Sequence, residues 1–136
     1  NPAPFNKLYK HEFIKKNKIY FQNILSSNDL AFTLIALALS EKNTVVYKAL
    51  YYYRINTGKS LTDKKDNNLF LFKEALVELK DRLKKHQIFD KYYQSYLNLV
   101  VSVSLYNLNK VTKKNILFKK LKEQIFYLFF TIISSC

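Results

Sequence analysis

The sequence predicts a mainly α fold with a small β component, an α+β arrangement that changes character near residue 66. Three observations carry this. From residue 69 onward, apolar side chains recur by threes and fours, the spacing of amphipathic helices. Residues 45–55 are β-branched and aromatic, the composition of strands. Between them lies Asn56-Thr57-Gly58-Lys59-Ser60, a loop signal holding the only glycine of the chain.

The elements follow in order. Pro2 and Pro4 keep the start extended. Residues 5–18 suit a short helix with Leu8, Phe13 and Ile14 inward and lysines outward. Ile19-Tyr20-Phe21 reads as a short strand. Ser26-Ser27-Asn28-Asp29 announces a helix, because such side chains cap free backbone N–H groups. The helix that follows, residues 30–41, is apolar on most faces and is expected to be buried on most faces. Asn43-Thr44 ends it, and residues 45–55 supply one or two strands.

Leu69, Phe72, Leu76, Leu79 and Leu83 then mark a helix of about five turns. Glu78 with Arg82, and Asp81 with Lys85, are i,i+4 pairs assigned to its wet face. Phe89, Tyr93, Tyr96, Val100 and Val103 repeat the spacing, and so do Phe118, Leu121, Ile125, Leu128 and Ile132. His86-Gln87 and Asn107-Leu108-Asn109 are the joints, and helices with short joints are expected to pack antiparallel. Most of the 22 aromatics, 11 Phe and 11 Tyr, fall on these periods and are read as core.

Composition excludes several functions. One glycine in 136 residues rules out a glycine-rich phosphate cradle or a dinucleotide fingerprint in this chain. One cysteine, Cys136, rules out an internal disulfide framework and a cysteine zinc site. No methionine is present, which suggests a chain processed or cut from something longer. The net charge of +13 suggests anionic partners. Only Arg54 and Arg82 are arginines, however, so the excess is lysine. Sequence-reading nucleic-acid binders rely on the arginine fork, so nucleic acid is not expected as a partner. An anionic membrane surface suits a lysine excess better. The apolar part of residues 19–40 is too short to span a bilayer, and the start lacks a signal-peptide shape. A reducing cytoplasm, with peripheral attachment at the inner membrane face, is the expected location.

Two side chains stand out chemically. Asp29 is the only charged residue between Lys18 and Glu41, at the entrance of an apolar helix. It suits a helix-start charge, in a capping-box-like Ser26-x-x-Asp29, or a general base at the rim of an apolar wall. Arg54 ends the run Tyr51-Tyr52-Tyr53 and is placed for a carboxylate or a phosphate, with a strand-end ion pair as the structural alternative. His11 and His86 lack the company a metal site needs.

Three segments resemble bacterial family 2 glycosyltransferases of the GT-A fold. Pro2-Ala3-Pro4-Phe5-Asn6-Lys7-Leu8-Tyr9-Lys10 is similar to the family's PxPWNKLYK segment. Ser27-Asn28-Asp29-Leu30-Ala31-Phe32 resembles its EDxxF motif. Leu50-Tyr51-Tyr52-Tyr53-Arg54-Ile55-Asn56, followed by Gly58 and Ser60, resembles its LYYYRxNxxS strand and loop. The family's Trp is Phe5 here, and its first acid is Asn28.

The resemblance implies that residues 1–66 are the C-terminal, acceptor-side segment of a GT-A catalytic domain, and that 67–136 form a helical extension. It implies an inverting transfer of sugar from a nucleotide-diphosphate donor to the hydroxyl of a glycan or lipid-linked acceptor, in surface polysaccharide or cell-wall glycan synthesis. Asp29 takes the place of the general base, with Asn6, Lys7, Asn28, Arg54 and Ser60 as candidate substrate-binding residues. A divalent metal, Mg or Mn, is expected in the intact enzyme, with its ligands mostly in a donor-binding half that precedes these segments in the family. The 136 residues alone are then expected to be inactive, and apolar surface left uncovered favours oligomers. The alternative is a basic helical module without enzymatic activity that docks on a membrane surface or on another protein.

Overall fold

A computed structural model describes residues 3–52, 54, 70–110 and 115–133, of which 109, 110, 115–118 and 131–133 by their backbone alone. Five helices make up the regular structure of the described residues: α1 (His11–Lys16), α2 (Asn28–Leu39), α3 (Leu71–Lys85), α4 (Phe89–Lys110) and α5 (Asn115–Ile133). The chain divides into two compact units, Asn1–Ile88 and Phe89–Cys136. The expected boundary at residue 66 lies outside the described residues.

In the first unit α2 packs on α3. Leu30, Ala31, Phe32, Ile35 and Ala36 from α2 are buried, as are Phe72, Ala75, Leu76, Leu79 and Leu83 from α3. The small Ala31, Ala36 and Ala75 are almost wholly enclosed, and small side chains let helix axes approach closely. The heptad-like spacing of α3 therefore delivers the face it implied. Leu69, the first residue of that stripe, is outside the described residues. α2 is buried on most of its surface, Leu37 being its exposed large side chain. Its last turn closes as Ser40 Oγ donates to Leu37 O at 2.8 Å.

α1 and α3 end alike. Lys18 N bonds Lys15 O and Ile19 N bonds Ile14 O; Gln87 N bonds Lys84 O and Ile88 N bonds Leu83 O. Each set is a Schellman ending, which needs a left-handed residue just past the helix. Glycine normally takes that place. Here Lys18 (φ 50°) and Gln87 (φ 57°) do, and Ser27 (φ 63°) is left-handed at the start of α2. The joint read at His86-Gln87 is thus a true helix stop.

The expected β component is absent: among the described residues there is no strand and no sheet. A strand is stable only when a neighbour takes its backbone N–H and C=O groups. Ile19-Tyr20-Phe21 finds helix α3 instead. Tyr20 O accepts Arg82 Nη1 at 2.7 Å, and Gln22 Nε2 donates to Glu74 O at 3.3 Å. Residues 45–52 run irregularly and exposed, with Val45, Val46, Tyr47, Leu50 and Tyr52 all facing outward. β-propensity expresses side-chain fit to a pleated surface, and no described segment offers one. The GT-A-like strand expected here is therefore not formed. Tyr53 and Ile55 lie outside the described residues.

Two smaller expectations also fail. The first helix starts at His11, not residue 5, so no helical phase turns Leu8 inward and it is fully exposed. Residues 107–109 do not break the chain either: α4 continues to Lys110, and Asn107 Nδ2 donates to Val103 O within the helix at 2.8 Å. An asparagine that bonds back one turn no longer competes for a break.

In the second unit α4 packs on α5. Phe89, Tyr96 and Val100 are buried on α4, and Leu121, Ile125 and Leu128 on α5. Phe89 meets the edges of Tyr93 and Tyr96 at centroid distances of 5.7 and 5.6 Å. These are the residues that helical periodicity marked. No helix among the described residues is long and apolar enough to cross a membrane.

Candidate functional site

The site grows from an aromatic cluster that joins three distant parts of the first unit. Residues 4–7 form a turn in which Lys7 N bonds Pro4 O at 3.2 Å. Lys7 Nζ ties the turn by donating to Ala3 O at 2.7 Å and to Asn6 Oδ1 at 2.8 Å. Asn6 is exposed and Lys7 half-buried, so the pair is held at the surface by its own turn. On one side of it, Phe5 stacks on Tyr51 with centroids 4.7 Å apart. On the other, Tyr9 sets its edge against Phe32 at 5.2 Å. Phe32 also stacks on Phe21, nearly parallel, at 4.0 Å. The Tyr9–Phe32 edge contact and the Phe5–Tyr51 stack fall in the range that suits the ring quadrupoles and add about 0.5–1.5 kcal/mol each beyond burial, while the closer Phe21–Phe32 pair contributes through burial.

Phe32 stands three residues after Asp29 on α2, a spacing that puts both on neighbouring faces of one helix. Asn28 opens α2 and Asp29 sits in its first turn, both half-buried. The N-cap position is Ser27, and it makes no side-chain cap bond. The capping-box reading of Ser26 with Asp29 therefore has no counterpart in the hydrogen bonding. What Asp29 retains from its place is the favourable field of the helix N-terminus. No hydrogen bond or ion pair joins its carboxylate to another described residue.

Arg54 is exposed and is not brought to Asp29 by any hydrogen bond or ion pair among the described residues. Ser60 lies outside the described residues. Among the described residues there is no group of three or more His, Cys, Asp or Glu side chains arranged to hold a metal.

The residue that sequence reasoning misplaced is Arg82. Its guanidinium is buried, with a side-chain exposure of 9%. Nε donates to Glu78 Oε1 at 2.7 Å, Nη1 to Tyr20 O at 2.7 Å, and the Tyr20 ring lies 4.2 Å from Cζ. Nη2 is buried with no hydrogen-bond partner among the described residues. The i,i+4 pair with Glu78 is real, but it lies under the 19–22 segment and not on the wet face. The signal was in the composition: Arg82 is one of two arginines, the argument that singled out Arg54.

No protein-family model, no characterised protein and no solved structure matches this chain.

Proposed function

We propose that this chain supplies the acceptor-side wall and the general base of an inverting glycosyltransferase. The observation that carries the reading is the convergence of the three motif-like segments. Tyr9 from the first meets Phe32 from the second, and Phe5 from the first meets Tyr51 from the third. These residues are far apart in sequence, and nothing in composition or periodicity requires them to meet. Phe32 follows Asp29 by three residues on α2, and Phe5 and Tyr51 keep about half of their surface exposed, the kind of ring on which sugars pack by their C–H faces.

In this mechanism the Asp29 carboxylate accepts the proton of an acceptor hydroxyl. The acceptor oxygen forms its bond to the anomeric carbon as the bond to the diphosphate breaks on the opposite face, and the diphosphate leaves with the electron pair. Asn6, exposed and held by Lys7 in their turn, offers its amide to acceptor hydroxyls with little ordering cost at binding, and Lys7 places a positive charge beside it. A divalent metal supplied with the donor half would neutralise the leaving diphosphate. The acceptor is a glycan or lipid-linked glycan of surface polysaccharide or cell-wall synthesis, met at the cytoplasmic face of the membrane.

The test uses the enzyme that joins this chain to a donor-binding half. Asp29→Asn should lower turnover by about 10²- to 10⁴-fold with unchanged circular dichroism. Near-normal turnover would leave Asp29 a helix-end charge. The 136 residues alone should show no transfer.

A second reading rests on the second unit. Leu105, Tyr106, Phe126, Tyr127 and Phe130 are exposed, and Lys119, Lys120 and Lys122 are exposed on α5. Aromatic and lysine side chains together suit attachment at an anionic membrane surface. Vesicle binding that needs anionic lipid and vanishes at moderate salt would favour it; equal binding to neutral vesicles would count against it.

A further inference from the structure

The first unit also carries a concave feature, lined by none of the stacked rings of the aromatic cluster. It is a cleft of about 150 Å³ where α1 and α3 end, lined by Lys16, Lys18, Tyr20, Arg82, Lys85 and His86, among others. No carboxylate is among its lining residues. A space of about 150 Å³ admits a guest on the scale of a benzene ring, larger than a phosphoryl group.

Basic residues at helix C-termini have an ordinary use, since they offset the negative end of the helix dipole. Here the magnitudes exceed that use. Four fixed cations line the cleft: Lys16, Lys18, Arg82 and Lys85. Two helix ends offset about half a charge each. Glu78, paired with Arg82, offsets one more. About two positive charges remain, before any contribution from His86. Like charges gathered in a half-enclosed space repel one another, so a surplus of this size favours a bound anion.

A second observation concerns the burial of one of these cations. Arg82 lines the cleft, is buried, and has one guanidinium nitrogen, Nη2, without a hydrogen-bond partner. A buried guanidinium with an unpaired donor keeps its charge poorly compensated beneath the cleft, where an anion offsets it through space. The left-handed Lys18 adds to the picture: at φ 50° the chain carries a strained, charged residue where glycine is the usual choice.

We propose that this cleft binds a phosphoryl dianion, with Lys16, Lys18, Lys85 and His86 around it and Arg82 beneath. The site is independent of the transferase reading. It lies in a chain without a glycine-rich phosphate loop and uses side chains where such a loop uses backbone N–H groups.

The test titrates the full 136-residue chain with inorganic phosphate at constant ionic strength, followed by amide NMR. Saturable shifts at Lys18, Ile19 and residues 85–87, with a dissociation constant of about a millimolar, are expected. The Lys16→Ala and Lys85→Ala variants change exposed side chains and should keep the parent spectrum while weakening binding about tenfold. Arg82→Lys keeps the charge but loses the fork, and should weaken binding as well. A parallel arm uses vesicles of phosphatidylcholine with phosphatidic acid or with phosphatidylserine. Phosphatidic-acid preference that inorganic phosphate competes away assigns the phosphoryl group to a lipid headgroup. Phosphate binding without such preference assigns it to a soluble phosphate or phosphate ester. Linear shifts spread over all lysines, or equal affinity in Lys16→Ala and Lys85→Ala, would overturn the site.

Discussion

Arg82→Met should destabilise the first unit by about 2 kcal/mol, well above a surface substitution. Three contacts disappear. The Nη1 bond to Tyr20 O, at 2.7 Å and half-buried, is charge-assisted, a class worth about 1.5–3 kcal/mol. The cation over the Tyr20 ring, 4.2 Å from its centroid, adds about 1 kcal/mol in a partly desolvated place. The pair with Glu78 adds under about 1 kcal/mol, because Glu78 is 27% exposed and rehydrates when its partner goes. Against these stands a gain of about 1–3 kcal/mol, since methionine no longer buries the unpartnered Nη2. Urea unfolding of the full chain, followed by circular dichroism, measures the midpoint and the slope. Hydrogen exchange at Ile19 to Gln22 should quicken, because Arg82 holds the Tyr20 carbonyl on α3. A cycle with Tyr20→Leu isolates the ring contact at about 1 kcal/mol, as the carbonyl bond survives that change. A loss within about 0.5 kcal/mol, with unchanged exchange, would mean that Arg82 lies on the wet face after all and would refute the clamp.

Gln87→Gly should stabilise the chain by about 0.5–1 kcal/mol, since a left-handed residue with a Cβ costs about 1–2 kcal/mol and glycine's extra unfolded entropy takes back part of that. Gln87→Ala keeps the Cβ and should show no such gain; thermal melts of the two compare them directly. Leu76→Ala, at a position wholly enclosed between α2 and α3, should cost about 3–5 kcal/mol in urea unfolding. Leu8→Ala, fully exposed, should fall within about 0.5 kcal/mol, and a larger loss would place Leu8 in the core. Phe5→Ala should loosen the 45–52 segment, seen as faster exchange of the Tyr51 amide, because Phe5 stacks on the Tyr51 ring.

The candidate site was partly legible. Asp29 stood out because it is a lone charge before an apolar helix, and the structure puts it in the first turn of α2. Asn6 and Lys7 enter only through the resemblance, and the hydrogen bonds of their turn hold them in place. The cationic cleft was not legible. Lys16, Lys18, Arg82 and Lys85 belong to two helix ends far apart in the chain, and each looks like an ordinary helix-terminal charge when read alone.

By itself the sequence determined the helical stripes. Phe72, Leu76, Leu79 and Leu83 on α3, like Leu121, Ile125 and Leu128 on α5, are buried where a period of 3.6 puts them. A helix closes its hydrogen bonds within its own segment, so local spacing suffices to specify it. Tertiary structure decided the rest. Residues 19–21 have strand composition, but a strand borrows its hydrogen bonds from a neighbour, and the neighbour here is a helix. Arg82 is buried because a carbonyl 62 residues away needs it. A charged side chain enters a core only when its partner is already placed there, and no pattern around Arg82 names that partner.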